Sequence, residues 1–277
     1  MDNHKPKISV IMPFYNGQKF LDQAIASIVN QTFKDFEFII INDASTEDAD
    51  KIVQKYLLDE RIIYVKNIEN QGIVKNLNHG LKIAKADIIA RMDGDDVAEP
   101  ARFSKQFTFL EQNKDIDVVG SFVKIIDEND AQTDQRTKPI DPELIKKDLI
   151  IYSPVVHPAV MFRKDVINSV GGYRQQYLFS EDIDLWYRVV YSGHKISNVP
   201  EFLLNYRYHK NSTGHQSTQN AIREFKLRKD TIKKFNLKLS LKKWFLIYLQ
   251  LIVGIFLSGR SRQSLEGFYK KMFYDRR

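Results

Sequence analysis

Three aspartates stand within four residues in the segment Asp93-Gly94-Asp95-Asp96. Carboxylates this close repel one another unless a cation neutralises them. Their hard oxygen atoms suit Mg²⁺ or Mn²⁺, which proteins hold together with the phosphates of a substrate. A solvated acidic turn is the other interpretation, but the position of the cluster after an apolar segment favours a site.

Two further acidic positions could do chemistry. Asp43 follows an apolar run, where its carboxylate could accept hydrogen bonds from a base or a ribose hydroxyl, or could cap the next helix. Glu181-Asp182 precedes an amphipathic segment, where one carboxylate could act as a general base. Acidic pairs also favour helix N-termini through the helix dipole, so these residues alone leave both interpretations open.

Two histidines, His157 and His209, lie in segments with strand-like patterns. A lone histidine is more often structural than a ligand. His209 ends an apolar run, and from there it could complete an oxygen-rich metal site from the other half of the chain.

The elements that must position these residues follow a repeating order. Short β-branched runs predict strands, and amphipathic stretches between them predict helices. The predicted strands are 8–12, 36–41, 62–65 and 87–90, and the helices are 20–30, 49–57 and 73–84. This order predicts an α/β fold with a mostly parallel central sheet flanked by helices. Ligands bind at the carboxyl ends of such strands, where the polar segments 13–16, 42–45 and 91–96 stand.

The remainder of the chain continues the same sheet less regularly. The patterns predict helices at 102–113 and 182–191, strands at 118–126, 159–162 and 202–208, and a polar loop through residue 142. A polar, Ser/Thr-rich segment at 209–219 marks a boundary. A basic helix at 220–236 and an apolar run at 244–258 follow it. We therefore predict a helical C-terminal tail.

Composition excludes several classes of protein. The chain has 277 residues and a net charge of +7, but residues 221–277 hold 15 Lys and Arg against 4 acids. The remaining residues are slightly acidic, which predicts no nucleic-acid partner. With no cysteine, disulfide scaffolds, thiolate zinc sites and cysteine nucleophiles are excluded. The polar N-terminus carries no secretory signal, so we expect a cytoplasmic protein.

Rival enzyme classes can be tested against their motifs. No G-x-G-x-x-G follows the first predicted strand, and no G-x-x-x-x-G-K-[ST] occurs, which excludes dinucleotide-dependent oxidoreductases and P-loop NTPases. A sugar nucleotidyltransferase is one enzyme class that the sequence leaves open. Such enzymes normally have a glycine-rich basic loop after the first strand, whereas this chain has PFYNG at residues 13–17. A non-catalytic nucleotide-sugar-binding scaffold also stays open, because a fold does not guarantee turnover.

Taken together, the motifs resemble glycosyltransferase family 2. They are VIMPFYNG at 10–17, QTFKDFEFIIINDAST at 31–46, NQGIVKNLNHGL at 70–81, IARMDGDD at 89–96 and SEDIDLWYR at 180–188. The resemblance spans about residues 7–215. It implies an inverting, nucleotide-sugar-dependent enzyme of GT-A fold that uses Mn²⁺ or Mg²⁺. Residues 1–100 would bind the nucleotide sugar, 101–215 would form the acceptor-binding and catalytic half of the same domain, and 216–277 the tail.

The resemblance also implies roles for individual residues. On the donor side, Pro13, Tyr15, Asn16, Asp43 and Asn78 would line the nucleotide-sugar site, with Asp43 on the base. Asp93 would lie near the ribose and metal, Asp95 would bind the metal, and His209 would reach the metal or diphosphate. Asp182 would be the catalytic base, with Glu181 supporting it.

Two departures from the family pattern refine the prediction. Leu77 stands where many relatives have arginine, so a cation facing the diphosphate must come from elsewhere, with Lys75 and Arg91 as candidates. The Gln-x-x-Arg-Trp signature of processive synthases is missing, which favours transfer of one sugar per encounter. The expected donor is a UDP-sugar, and the expected acceptor is a hydroxyl of a glycan or lipid-linked saccharide in cell-surface polysaccharide synthesis.

The apolar run of the tail predicts a surface partner. Its 15 uncharged residues are fewer than the roughly 20 that a membrane-spanning helix requires. Lysines 242 and 243 precede it, and Arg260 and Arg262 follow it. This arrangement, within residues 238–262, is typical of a helix lying on an anionic membrane surface. The alternative is that the helix covers an apolar face of the catalytic domain or of a partner subunit.

Overall fold

The computed structural model describes residues 4–45, 47–208 and 218–256. Its strands are β1 (Ile8–Phe14), β2 (Phe36–Asn42), β3 (Ile62–Lys66), β4 (Ile88–Arg91), β5 (Val97–Ala98), β6 (Val118–Ile126), β7 (Gln132–Arg136), β8 (Met161–Arg163) and β9 (Ile196–Arg207). They form one sheet in the order β3-β2-β1-β4-β8-β6-β9-β5, with β7 paired to β6.

Nine α-helices in the described residues surround the sheet. They are α1 (Gln18–Val29), α2 (Glu47–Gln54), α3 (Ile73–Ile83), α4 (Arg102–Gln112), α5 (Pro142–Asp148), α6 (Lys164–Ser169), α7 (Glu181–Tyr191), α8 (Thr218–Lys234) and α9 (Leu241–Phe256). Apolar clusters cover both faces of the sheet, with Val10 and Met12 on one face and Ile11 on the other. A strand buried on both faces is what a β-branched run without alternation predicts.

The first four strands form the predicted parallel part of the sheet. Strand β1 pairs in parallel with both β2 and β4, and β2 pairs in parallel with β3. The carboxyl ends of these strands therefore meet at one edge, which brings together the polar segments that follow them. The second half is mixed: β4–β8, β6–β8, β6–β7 and β5–β9 are antiparallel, whereas β6–β9 is parallel.

Some elements differ from the sequence prediction. The expected polar loop through residue 142 contains β7 and the start of α5. Strand β7 lies at an edge with four of its five residues exposed, so it has no apolar periodicity to detect. The start of α5 did carry a signal, because Asp141 accepts a hydrogen bond from the Glu143 N–H at 2.8 Å ahead of a proline in the first turn. His157 lies in a 3-10 turn, not in a strand.

The two C-terminal helices pack on the sheet domain. Ile247 is fully buried in the cluster that also holds the side chains of α7. The Gln250 side chain donates to the Ile151 carbonyl at 3.1 Å. A helix with the length and continuous apolar character needed to cross a membrane is not present in the described part of the chain.

Candidate active site

Asp43 is seated in a ring of hydrogen-bond donors at the end of β2. Its Oδ1 accepts from the Asn67 amide and from the Gln71 N–H, both at 2.8 Å, and its Oδ2 accepts from the Gly72 N–H at 2.9 Å. Burial raises the pKa of Asp43, but the bonds from Gln71, Asn76, Asn67 and Gly72 outweigh burial and lower it. The carboxylate stays charged, and these bonds run to the loop before α3.

The loop after β1 lies beside Asp43. Pro13 is buried within the strand end, whereas the Tyr15 side chain is 57% exposed. Asn16 has a left-handed backbone, with φ 56, and its N–H donates to the Ser45 hydroxyl at 2.8 Å. The two strand-end loops are thereby joined, so the predicted donor-side residues of β1 and β2 do share one edge.

The acidic turn after β4 gathers three carboxylates. Asp93, Asp95 and Asp96 each offer an oxygen, and these oxygens lie within 4.8 Å of one another. Burial raises the pKa of Asp93 and Asp96, and the charge of Asp95 raises both further. Asp96 is 1% exposed, and its Oδ2 has no hydrogen-bond partner among the described residues. A divalent cation would offset the repulsion among the three carboxylates and would give the Asp96 Oδ2 a partner, so these residues fit Mg²⁺ or Mn²⁺.

Three buried arginines surround the acidic turn. Arg91 forms an ion pair with Asp93 at 2.5 Å, and its Nε and Nη1 have no partner in the part of the chain that the structure describes. Arg102 donates to the Arg91 carbonyl at 2.7 Å, and burial lowers its pKa to about 9. Arg207, at the end of β9, donates its N–H to Asp96 at 2.8 Å and its Nε to the Asp95 carbonyl at 2.8 Å. The turn is therefore held from two sides.

Glu181 and Asp182 occupy the first turn of α7. Burial raises the pKa of Asp182, and burial together with the charge of Asp182 raises the pKa of Glu181 to about 7. The charge of Asp182 raises the pKa of Asp93, and the charge of Arg91 lowers the pKa of both acids of the pair. The acidic pair and the acidic turn thus share one electrostatic environment.

The helix that carries the acidic pair is anchored by a buried ion-pair network. Asp184 is 1% exposed and accepts from Arg188 at 2.7 Å and from the Arg174 Nε at 2.9 Å. Arg188 also donates to the Gly172 carbonyl at 2.7 Å. This network fixes the first turn of α7 relative to the loop before it.

Asn78 bridges the two halves of the chain. Its amide nitrogen donates to the Tyr173 carbonyl at 2.9 Å, and its amide oxygen accepts from the Tyr173 N–H at 3.0 Å. Tyr173 in turn lies 2.8 Å from His157 through its hydroxyl, and burial with the charge of Arg91 lowers the pKa of His157 well below its usual range. His157 is thus a neutral, buried residue. A nucleotide contact by Asn78 stays a prediction.

The remaining predicted residues are the two candidate cations and His209. Lys75 is exposed on α3, whereas Arg91 is buried against Asp93, so of the two candidate cations Arg91 contacts the site. His209 lies outside the described residues. Sequence reasoning missed Asn67 and Arg207. Asn67 directly follows β3, so the strand-end rule that identified Asp43 could have found it.

Known protein families and sequences similar to this chain are glycosyltransferases. The family model described as Glycosyl transferase family 2 matches residues 9–171. The chain is 38% identical over 239 residues to the O-antigen biosynthesis glycosyltransferase WbnJ of Escherichia coli, covering 82% of this chain and 92% of the relative. It is 31% identical over 225 residues to the E. coli UDP-Gal:alpha-D-GlcNAc-diphosphoundecaprenol beta-1,3-galactosyltransferase, covering 76% and 77%.

Solved structures resemble the fold. S. aureus TarS in complex with UDP-GlcNAc matches with a TM-score of 0.69 and 21% identity, covering 97% of this chain and 77% of that one. The mannosyltransferase PcManGT of Pyrobaculum calidifontis in complex with GDP-Man and Mn²⁺ matches with a TM-score of 0.62 and 14% identity, covering 99% and 82%. The expected GT-A type α/β fold is confirmed.

Proposed function

The chain belongs to glycosyltransferase family 2, and we propose that it moves one sugar from a UDP-linked donor to an acceptor hydroxyl with inversion. The observation that carries this proposal is the position of Arg91, which pairs with Asp93 of the acidic turn and whose charge also acts on Asp182. We infer from this shared cation that the donor-side and base-side carboxylates act in one reaction centre.

The donor side suits a nucleoside diphosphate. The Asp43 carboxylate, held charged by its ring of donors, can accept the ring N–H of a uracil base. The exposed Tyr15 ring, in the loop after β1, offers an aromatic face on which a base could stack. A uridine nucleotide is further supported by the UDP-galactose named for the E. coli galactosyltransferase and by the UDP-GlcNAc bound in the TarS complex.

The acidic turn would hold Mn²⁺ or Mg²⁺ through Asp95 and Asp93, and the structure adds Asp96 to this set. The Mn²⁺ complex of the P. calidifontis mannosyltransferase supports a divalent cation. When bound, such a cation offsets the charge that develops on the leaving diphosphate. Arg91 adds a fixed positive charge on the same side.

Asp182 is the proposed general base. Burial raises the pKa of Asp182 toward neutral pH, and a carboxylate with a higher pKa accepts a proton more readily. As it removes the proton of the acceptor hydroxyl, that oxygen bonds to the anomeric carbon from the face opposite the nucleoside diphosphate. The bond to the diphosphate breaks at the same time, so the anomeric configuration inverts. Glu181, whose pKa is raised by the charge of Asp182, is the residue that we propose supports the base.

We further propose that the enzyme works on a lipid-linked acceptor at the cytoplasmic face of a membrane. Helix α9 has two apolar faces: Leu246, Ile247 and Val253 are buried against the domain, whereas Phe245 and Ile252 point outward, 63% and 51% exposed. The tail therefore does cover the domain, yet it leaves a second apolar stripe uncovered. Leu241, Phe245, Tyr248, Ile252 and Phe256 form this exposed stripe, spaced three or four residues apart.

The charge around the stripe fits an anionic surface. Residues 218–256 hold nine Lys and Arg against two acidic residues. Each basic residue near an anionic membrane contributes about 1 kcal/mol to binding. A role in the synthesis of a cell-surface polysaccharide is supported by the O-antigen biosynthesis glycosyltransferase WbnJ, and a lipid-linked acceptor by the diphosphoundecaprenol in the name of the E. coli galactosyltransferase.

A donor screen with the purified full chain tests the reaction. UDP-glucose, UDP-galactose, UDP-N-acetylglucosamine and GDP-mannose are each incubated with Mn²⁺ and a panel of saccharide acceptors, and products are identified by mass spectrometry. We expect one UDP-sugar to yield an acceptor extended by a single sugar. Nucleotide binding without transfer indicates a scaffold, and pyrophosphate release from UTP and a sugar 1-phosphate indicates a nucleotidyltransferase.

A further inference from the structure

A strained aromatic residue stands just before the acidic pair. The Ser180 N–H donates to the Tyr177 carbonyl at 2.8 Å, which closes a β-turn. Leu178 at its second position has φ −49 and ψ 134, and Phe179 at its third has φ 70. These are the angles of a type II turn, whose third position normally holds glycine.

The strain is unusual for this residue type. The other non-glycine residues with positive φ in the described residues are Asn16, Ala44, Asp130 and Asn236. Asparagine and aspartate tolerate this conformation because their short side chains bond locally, whereas a bulky ring does not. Phe179 therefore destabilises the turn relative to the glycine that the turn would accept.

Packing does not account for the phenylalanine. Its side chain is 47% exposed, so the ring is not a core residue. The backbone of Phe179 helps to lower the pKa of Glu181, but glycine would provide the same backbone group. The Arg223 guanidinium of α8 lies over one face of the ring, 5.7 Å from the ring centroid. What remains is an exposed aromatic surface three residues before Asp182.

We propose that Phe179 is a platform on which the acceptor saccharide packs, on the face of the ring opposite Arg223. The C–H face of a pyranose ring is apolar and covers an aromatic ring. The placement rests on the proposed function, because it takes Asp182 as the base that the acceptor hydroxyl must reach. The platform selects saccharide acceptors by the shape of one face.

The test uses three variants of the full chain. Phe179→Gly removes the ring but keeps the turn, and Phe179→Tyr keeps an aromatic ring. Asn236→Gly is the matched control, because it also replaces a positive-φ residue by glycine, at φ 49 and after the end of α8. Binding of methyl glycosides of glucose, galactose and N-acetylglucosamine is measured by saturation-transfer NMR with UDP and Mg²⁺ present, and thermal midpoints are measured in parallel.

We expect the parent protein, Phe179→Tyr and Asn236→Gly to bind at least one of these glycosides. Phe179→Gly should weaken that binding by about fivefold or more, the size of a lost aromatic contact, while its thermal midpoint stays equal or rises. The proposal is overturned if the parent binds none of the glycosides, if Phe179→Gly binds as the parent does, or if binding is lost only together with a lower midpoint. Glycoside binding that depends on Phe179 in a protein that transfers no sugar would contradict the proposed function and leave the platform in place.

Discussion

Arg91 and Asp93 form an ion pair of 2.5 Å across the end of β4, and Arg91 is only 5% exposed. The charge of Asp93 raises the pKa of Arg91 against the effect of burial, so the guanidinium stays charged. The positive charge of Arg91 lowers the pKa of Glu181 and Asp182. One buried cation therefore contacts the turn after β4 and acts electrostatically on the acidic pair of α7.

Replacing Arg91 by methionine should shift the pH dependence of transfer. The base is active when deprotonated, so the rate falls as the pH drops through its pKa. Arg91 lowers the pKa of Asp182, and its removal raises that pKa. The acidic limb of kcat should then move to higher pH. It is measured at saturating donor, with Arg91→Lys as the control that keeps the charge; an unmoved limb in Arg91→Met would contradict the assignment.

Replacing Asp182 by asparagine should remove the general base. We expect kcat to fall on the order of 10²–10⁴-fold. The Kd for UDP, measured by titration calorimetry, should stay at the parent value because the proposed nucleotide contacts are on Asp43 and the acidic turn, not on α7. Glu181→Gln is the comparison and should lower kcat less. Transfer by Asp182→Asn at the parent rate would mean that another residue is the base.

The acidic turn should carry the metal dependence. Asp95→Ala is expected to abolish Mn²⁺-dependent binding of UDP, and Asp96→Asn to weaken it, because the buried Asp96 Oδ2 is an additional candidate ligand. His209→Ala should also weaken it, as the sequence predicts. The control is Asp115→Asn, an exposed aspartate paired with Lys195. Full transfer in excess EDTA would reject metal dependence altogether.

Replacing Asn78 by alanine separates a bridging role from a nucleotide contact. The change breaks two hydrogen bonds to the Tyr173 backbone, which should cost about 1–3 kcal/mol of unfolding free energy. If the amide only bridges the halves, the Kd for UDP stays unchanged. His79→Ala, an exposed neighbour on α3, is the control. A weaker Kd with an unchanged thermal midpoint would instead favour the contact that the family resemblance implies.

The exposed stripe of α9 should direct membrane binding. We expect the full chain to sediment with vesicles containing phosphatidylglycerol and the double variant Phe245→Glu, Ile252→Glu to stay in the supernatant. Leu58 and Ile68, which are 95% and 102% exposed, provide the control pair for the same substitution. The membrane proposal fails if the parent chain does not sediment, or if both double variants behave alike.

The sequence was informative where a local pattern determines the structure. The apolar runs of β2 and β4 predict buried strands, and the polar residues after them, Asp43, Asp93 and Asp95, predict the edge where a site would lie. Long-range contacts leave no such pattern. Arg207 holds Asp96 from 111 residues away, and nothing in the residues around either one indicates the pairing. The polar edge strand β7 was missed because exposure removes the periodicity.

The hydrogen bonds from Arg207 to the acidic turn have a consequence for the order of events during synthesis of the chain. Asp95 and Asp96 leave the ribosome early, but the arginine that fixes the backbone of their turn is made more than a hundred residues later. At about 5–20 residues per second, several seconds pass between the two events. A nascent chain that stops before β9 has the acidic residues without their fixed arrangement. We therefore expect donor binding to begin late in synthesis, after the last strand has paired.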